Sequence, residues 1–248
     1  MASHSDLLFA AIGCLRQRQI DVPARLDEAD ASERLAQLLP NVAGRHGVVA
    51  RTRVVAGPPL AVIAGEADAL DAVLVVLGAR GESFLRYATL GSTAERLLRK
   101  SVRRPVLVVK QPPRESYRNV LVAVDFSPAS RLAIVEARRW SRGSELVLLH
   151  AFELPYEGKL ARAGVDEQVI RKYIDAGIET RRARLHELAA SAGLASGSYL
   201  ARVIHGDPSQ QIIAMEQEYD ADLIVVGKHG THVPEEQLLG SVTRHVLA

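Results

Sequence analysis

Ala221-Asp222-Leu223-Ile224-Val225-Val226-Gly227-Lys228-His229-Gly230, followed nine residues later by Gly240-Ser241-Val242-Thr243, decides how this chain folds. The apolar run is too short for an independent helix, rich in β-branched residues and closed by a glycine, the pattern of a buried parallel strand. Gly227 and Gly230 allow a close approach of backbone to an anion at the strand's exit. Gly240 with Ser241 and Thr243 supplies a turn, two hydroxyls and the free N–H groups of a helix start. Together they have the chemistry of a phosphate cradle.

A G-x-x-G by itself is weak evidence, since many strand-to-helix loops use two glycines for turn geometry alone. The longer pattern, G-x-x-G, nine residues, G-S, behind such a strand and ahead of Val-Thr, resembles the nucleotide-binding signature of the universal stress protein family. It occurs twice: Gly78-Ala79-Arg80-Gly81, then Glu82 to Leu90, then Gly91-Ser92-Thr93 repeats it with the same internal spacing.

The repetition extends outward from the signatures. A constant offset of 149 residues lays Gly57 on Gly206, Pro59 on Pro208, Ile63 on Ile212, Gly78 on Gly227, Gly91 on Gly240 and Ser92 on Ser241. One register held through so many punctuation residues is a duplicated domain. The best linker is Gln111-Pro112-Pro113-Arg114-Glu115-Ser116, where two prolines interrupt helix and ladder alike. Domains are therefore expected over 1–113 and 114–248.

In the second repeat, strand Val120 to Val124 leads through Asp125-Phe126-Ser127-Pro128 to a helix over Ala129 to Ser141. A strand Leu146 to His150 follows, then a loop with Pro155 and Gly158, and a long helix over roughly Val165 to Ala192. Strand Ser198 to Ile204, a helix near Gln210 to Tyr219, the opening strand and a helix over Ser241 to Ala248 complete it. In the first repeat, Ser5 to Ala11 matches Ser144 to His150 and is expected to be that repeat's second strand. A helix over Ala31 to Leu39, strand Val48 to Ala56, helix Ala61 to Ala69, strand Val73 to Leu77, helix Ser92 to Ser101 and strand Pro105 to Val109 follow. Strands alternating with helices imply parallel sheets with right-handed crossovers and ligand sites at the carboxyl ends of the strands. The fold class is α/β, two tandem open parallel sheets, the first lacking its first strand and helix and the second its last strand. The resemblance makes them Rossmann-like, adenine-nucleotide-binding domains.

Composition agrees. Hydrophobic residues are 48% of the 248 but aromatics only 4%, so the core is Val, Ile, Leu and Ala, as in helix-covered parallel sheets. A net charge of +2 creates no field that would call for nucleic acid or an anionic membrane. Cys14 is the single cysteine, which leaves no intramolecular disulfide and suits a reducing compartment. The short apolar run Leu7 to Ile12 has no basic residue ahead of it, and no stretch approaches the roughly 18 to 20 apolar residues of a membrane span. A soluble, cytoplasmic protein is expected.

Carried residue by residue, the resemblance places Asp125, at the end of the first strand of repeat two, on the ribose or purine side of an ATP molecule. Ala123 and Val124 precede it, Ala151 lines the adenine pocket, and Val226, Gly227, Gly230, Gly240, Ser241, Val242 and Thr243 surround phosphates and sugar. It implies ATP, with Mg²⁺ held mainly by the phosphates, as a ligand that sets conformation or partner choice, and a pseudo-dimer of the two halves with a homodimer as a further option. The residues by themselves leave other readings open. Asp125 has the chemistry of an Asx cap for the helix that follows, and Ser241 and Thr243 that of helix-start residues. Lys228 offers charge to a phosphate or to solvent. His229 has no orienting acid in the sequence, and His229, His232, His150 and His205 show no metal-ligand spacing. Repeat one keeps the glycines but lacks the acid-bearing strand and carries Glu82 beside its loop, so its site is expected to be degenerate. The basic runs Arg99-Lys100, Arg103-Arg104, Arg138-Arg139 and Arg181-Arg182-Ala183-Arg184 read as solvated helix faces. Against the ATP-binding regulator stand a non-binding interaction module, with the glycine loops surviving only as turns, and a slow ATPase.

Overall fold

The computed structural model describes residues 7–11, 51–79, 92–99, 104–110, 117–141, 145–228 and 239–247, with a few positions between 29 and 37. Its strands are β1 (Leu7–Ala11), β2 (Val75–Gly78), β3 (Val106–Val109), β4 (Asn119–Ala123), β5 (Glu145–Phe152), β6 (Leu200–His205) and β7 (Leu223–Gly227). The labelled helices are α1 (Pro59–Ala69), α2 (Ser92–Arg99), α3 (Pro128–Trp140), α4 (Glu157–Arg162), α5 (Glu167–Ser191), α6 (Pro208–Glu218) and α7 (Ser241–Leu247).

The strands run side by side in the order β2-β3-β1-β7-β4-β5-β6. Every pairing is parallel except that of β1 with β7, which is antiparallel and joins the block β2-β3-β1 to the block β7-β4-β5-β6. In the second block each strand returns through a helix, and the apolar strands are covered on both faces. Val120, Val122 and Val124 pack with Ala133, Ile134, Leu185 and Ala189 of α3 and α5. Leu121, between them in sequence, points the other way with Leu149, Ile212, Ile224, Val226 and Leu247, on the side of α6 and α7. This is the two-residue alternation of a strand read out as two cores. The second of these cores also takes in Leu97, Leu98, Val106 and Val108, so it runs through both halves of the chain.

The helix starts in this half are set by local chemistry. Ser127 caps α3 by accepting from the Ser130 N–H, Asp166 caps α5 through Gln168 N–H, and Asp207 caps α6 through Gln210 N–H. Prolines at the first turn of α3 and α6 give up an N–H that no helical carbonyl would have met. At the amino ends of β4 and β7, Asp222 accepts from the N–H groups of Arg118 and Asn119, and the Asn119 side chain donates to the carbonyls of Tyr219 and Asp220. These bonds pin the register of the central pair.

Three expectations need correction. Leu7–Ala11 is a strand, but it lies between β3 and β7 rather than in the place that β5 holds in the second repeat. Both sides of β1 are taken by β3 and β7, and the described part of the stretch expected as strand Val48 to Ala56, 51–56, is not a strand. A strand exists only where a ladder satisfies its backbone. The loop with Pro155 and Gly158 contains a short helix, α4. Of the helix expected over 31–39, the described positions Ser32, Glu33, Ala36 and Gln37 are helical. The linker 111–116 lies outside the described residues.

Candidate functional site

At the carboxyl ends of β4 and β7 the chain changes direction: β4 leaves toward β5 on one side, while β7 sits on the other side of it. Such a switch point opens a crevice between the outgoing loops. Here the crevice is a cleft of about 200 Å³. Ten residues expected at a nucleotide line it: Ala123, Val124, Asp125, Ala151, Val226, Gly227, Gly240, Ser241, Val242 and Thr243. Gly230, with His229 and His232, lies outside the described residues. So do Gly81, Glu82 and Gly91 of the first signature.

Four further residues share the wall: Ser130, Leu149, Pro208 and Ile212. Leu149 and Ala151 are two apart on β5 and so face the same side. Pro208 and Ile212 are one helical turn apart on α6. Ser130 was not among the expected residues, although its place three residues after Ser127, at the start of α3, carries a signal for it.

Asp125 does not cap α3; Ser127 does. The Asp125 carboxylate accepts from the Ser127 N–H at 3.0 Å through Oδ1, an Asx turn set ahead of the cap. The turn holds Phe126 at φ +63°, a conformation that costs a bulky residue about 1–3 kcal/mol. Two contacts oppose that strain. The Phe126 ring lies 4.3 Å from the His150 ring, and the Arg184 guanidinium stands 4.3 Å above its centroid.

His150 braces the same turn from the face opposite the cleft. Its Nδ1 lies 2.7 Å from the Val124 carbonyl, which can only accept, so Nδ1 carries the proton. Burial pushes the imidazole below its ordinary value; the bond to Val124 and the Asp125 charge act against this, while Arg181 and Arg184 act with it. His150 is therefore a neutral structural donor. His205 pairs with Glu157 at 2.9 Å, and among the described residues no three His, Cys, Asp or Glu side chains gather around a common point.

The two halves of the signature are held together by backbone and one hydroxyl. Gly240 N–H donates to the Lys228 carbonyl at 3.2 Å, and Thr243, 3% exposed, donates its hydroxyl proton to the Gly227 carbonyl at 2.9 Å. Thr243 thus lines the cleft with its proton already committed, whereas the neighbouring Ser241 is exposed. Lys228 is buried and does not line the cleft. A Cβ on Gly240 would meet the Lys228 carbonyl oxygen at 3.5 Å and Thr243 Oγ1 at 3.7 Å, ordinary contact distances. Among the described residues no packing contact requires glycine there, and Gly240 lines the cleft.

The model of the universal stress protein family matches residues 15–110 and again 116–248. The chain belongs to the universal stress protein family. Among its relatives, universal stress protein Rv2005c of Mycobacterium tuberculosis is 31% identical over 192 residues, covering 71% of this chain and 59% of that protein. Universal stress protein Rv1996 of the same organism is 31% identical over 235 residues, covering 89% and 65%. The chain thus spans about three fifths of the length of the curated relatives it matches. Two solved structures share the fold. A putative universal stress protein from Pseudomonas aeruginosa aligns with TM-score 0.58 at 21% identity, over 91% of this chain and 76% of that one. One from Archaeoglobus fulgidus aligns with TM-score 0.58 at 22% identity, over 92% and 80%. As in the family's α/β architecture, the chain carries two copies of one unit. No described helix is long and apolar enough to cross a membrane.

Proposed function

We propose that the second repeat of this universal stress protein binds ATP in the cleft between β7 and β4, and that occupancy changes the surface offered to a protein partner. The observation that carries this reading is the convergence of the ten residues on one cleft, with a glycine at 240 that no packing contact among the described residues requires. The residues fit the ligand. Ala123, Ala151, Leu149, Val226, Ile212 and Val242 form an apolar slot for a flat base, and Asp125 supplies an acceptor for hydroxyl or amino donors. Gly227, Gly240 and Ser241 are the groups for phosphate, with Mg²⁺ carried by the nucleotide.

The sheet supports a reading of one site per chain. Among the described strands, β2, which ends at the first glycine signature, pairs with β3 alone and lies at the sheet edge. No described acid-bearing strand stands beside Gly78 as β4 stands beside Gly227. The first half supports the second through the shared core and through Lys110, whose Nζ donates to the Val246 carbonyl at 3.1 Å. A boundary between 113 and 114 is supported by the break between the two family matches.

The test is the nucleotide content of freshly purified protein, released by denaturation and separated by chromatography. Adenine nucleotide approaching one per chain is expected. An empty protein that also gains no thermal stability from millimolar ATP would contradict the reading, because a ligand that prefers the native state must raise its melting temperature.

A further inference from the structure

Hydrogen bonds centred on a residue of α3 hold Asp125 in place. Ser130 Oγ lies 2.5 Å from Asp125 Oδ1 and 2.9 Å from Asp125 N. A carboxylate only accepts and a backbone N–H only donates, which fixes the direction of both bonds. The Ser130 hydroxyl gives its single proton to Oδ1 and accepts from the Asp125 amide. The remaining contact, Ser127 Oγ to Ser130 Oγ at 3.4 Å, then has Ser127 as donor, while Ser127 Oγ accepts the Ser130 N–H at 3.2 Å. Ser130 is 2% exposed, so water does not stand in for these bonds, and it lies on the cleft wall.

The consequence concerns the ligand. With Oδ1 engaged by the Ser130 hydroxyl and the Ser127 amide, the orientation in which the carboxylate meets a molecule in the cleft is set from behind. We infer that Ser130 is the positioning residue of the nucleotide site, acting on the ligand through the Asp125 carboxylate. The inference rests on the ATP reading given above. Preorganising a charged acceptor removes the cost of ordering it on binding, and hydrogen bonds to charged groups are the stronger ones.

A double-mutant cycle on the full chain tests it, with ATP as the titrant in calorimetry and the melting temperature recorded for each variant. Ser130→Ala is expected to weaken ATP about tenfold in the parent chain, the loss of one charge-assisted hydrogen bond, but less than about twofold in an Asp125→Asn background. An equal factor in both backgrounds, or none in the parent, would overturn the inference, since a purely structural serine affects both alike. Ser130→Cys keeps the volume with a weaker donor, and its affinity is expected between serine and alanine; this variant carries the test if the alanine fails to fold. Affinity at the serine level with Cys would count against the inference. Absence of ATP binding in the parent chain is a different outcome, and it defeats the reading of the site itself.

Discussion

Thr243 donates its hydroxyl proton to the carbonyl of Gly227 across 2.9 Å, so one bond ties the end of the last strand to the first turn of the last helix. Those two residues open and close the glycine signature. Thr243→Val keeps the shape and deletes the proton, leaving a carbonyl unpaired in a buried place at a cost of about 1–3 kcal/mol. For a chain of this size that is a fall of several degrees in melting temperature. Differential scanning calorimetry should show the fall, and a parallel ATP titration should show weaker binding because both lips of the cleft loosen.

Gly240→Ala separates stability from binding. The added methyl meets protein atoms only at ordinary contact distances, so the melting temperature should stay within about 2 °C of the parent. ATP affinity should fall at least tenfold, because the methyl occupies space in the cleft. Circular dichroism melts and calorimetric titration on the same preparation decide it; unchanged affinity would mean that the ligand does not approach Gly240.

His150 predicts a pH dependence with a definite sign. Burial lowers its folded value below the ordinary imidazole, so the unfolded chain takes up the proton first as the pH falls. The stability linked to this group is present above about pH 6.5 and is lost as the pH falls below that toward the folded value. The melting temperature of the parent should drop between pH 7.5 and 5.5 by more than that of His150→Asn. Glu216, whose carboxyl burial pushes upward, works in the opposite sense, but it is present in both proteins and cancels in the comparison.

Asn119→Ala should destabilise without touching the cleft. The side chain donates to the Tyr219 and Asp220 carbonyls at the amino ends of the central strands, far along β4 from Asp125. Loss of both bonds at a half-buried site costs about 1–2 kcal/mol. Urea titrations should show a lower midpoint, while ATP affinity corrected for the folded fraction stays unchanged.

The second repeat was legible in the sequence because its signals are local. Apolar runs ended by glycine, the prolines at 128 and 208 and the paired glycine signatures placed its strands and long helices within a few residues, and ten of the expected residues share the cleft. What escaped depended on distant partners. Leu7–Ala11 reads as a strand from its own residues, but nothing within it says that it pairs with β3 and β7. Once it does so, both its sides are taken, and 51–56 is not a strand. Pro208, Ile212 and Leu149 join the cleft only because α6 and β5 present one face there, a fact of packing rather than of pattern. Ser130 was closer to view, since serine three residues after an N-cap serine faces back toward the loop ahead of the helix.

The most direct measurement of the central claim is a calorimetric titration of ATP into nucleotide-stripped protein, run beside Asp125→Ala. A single site per chain in the parent, with affinity corrected for the folded fraction reduced at least tenfold in the variant, is the predicted result. The variant's melting temperature should also fall by several degrees, because the Ser130 hydroxyl and the Ser127 N–H lose their acceptor. No heat of binding in the parent, or equal binding by parent and variant, would contradict it.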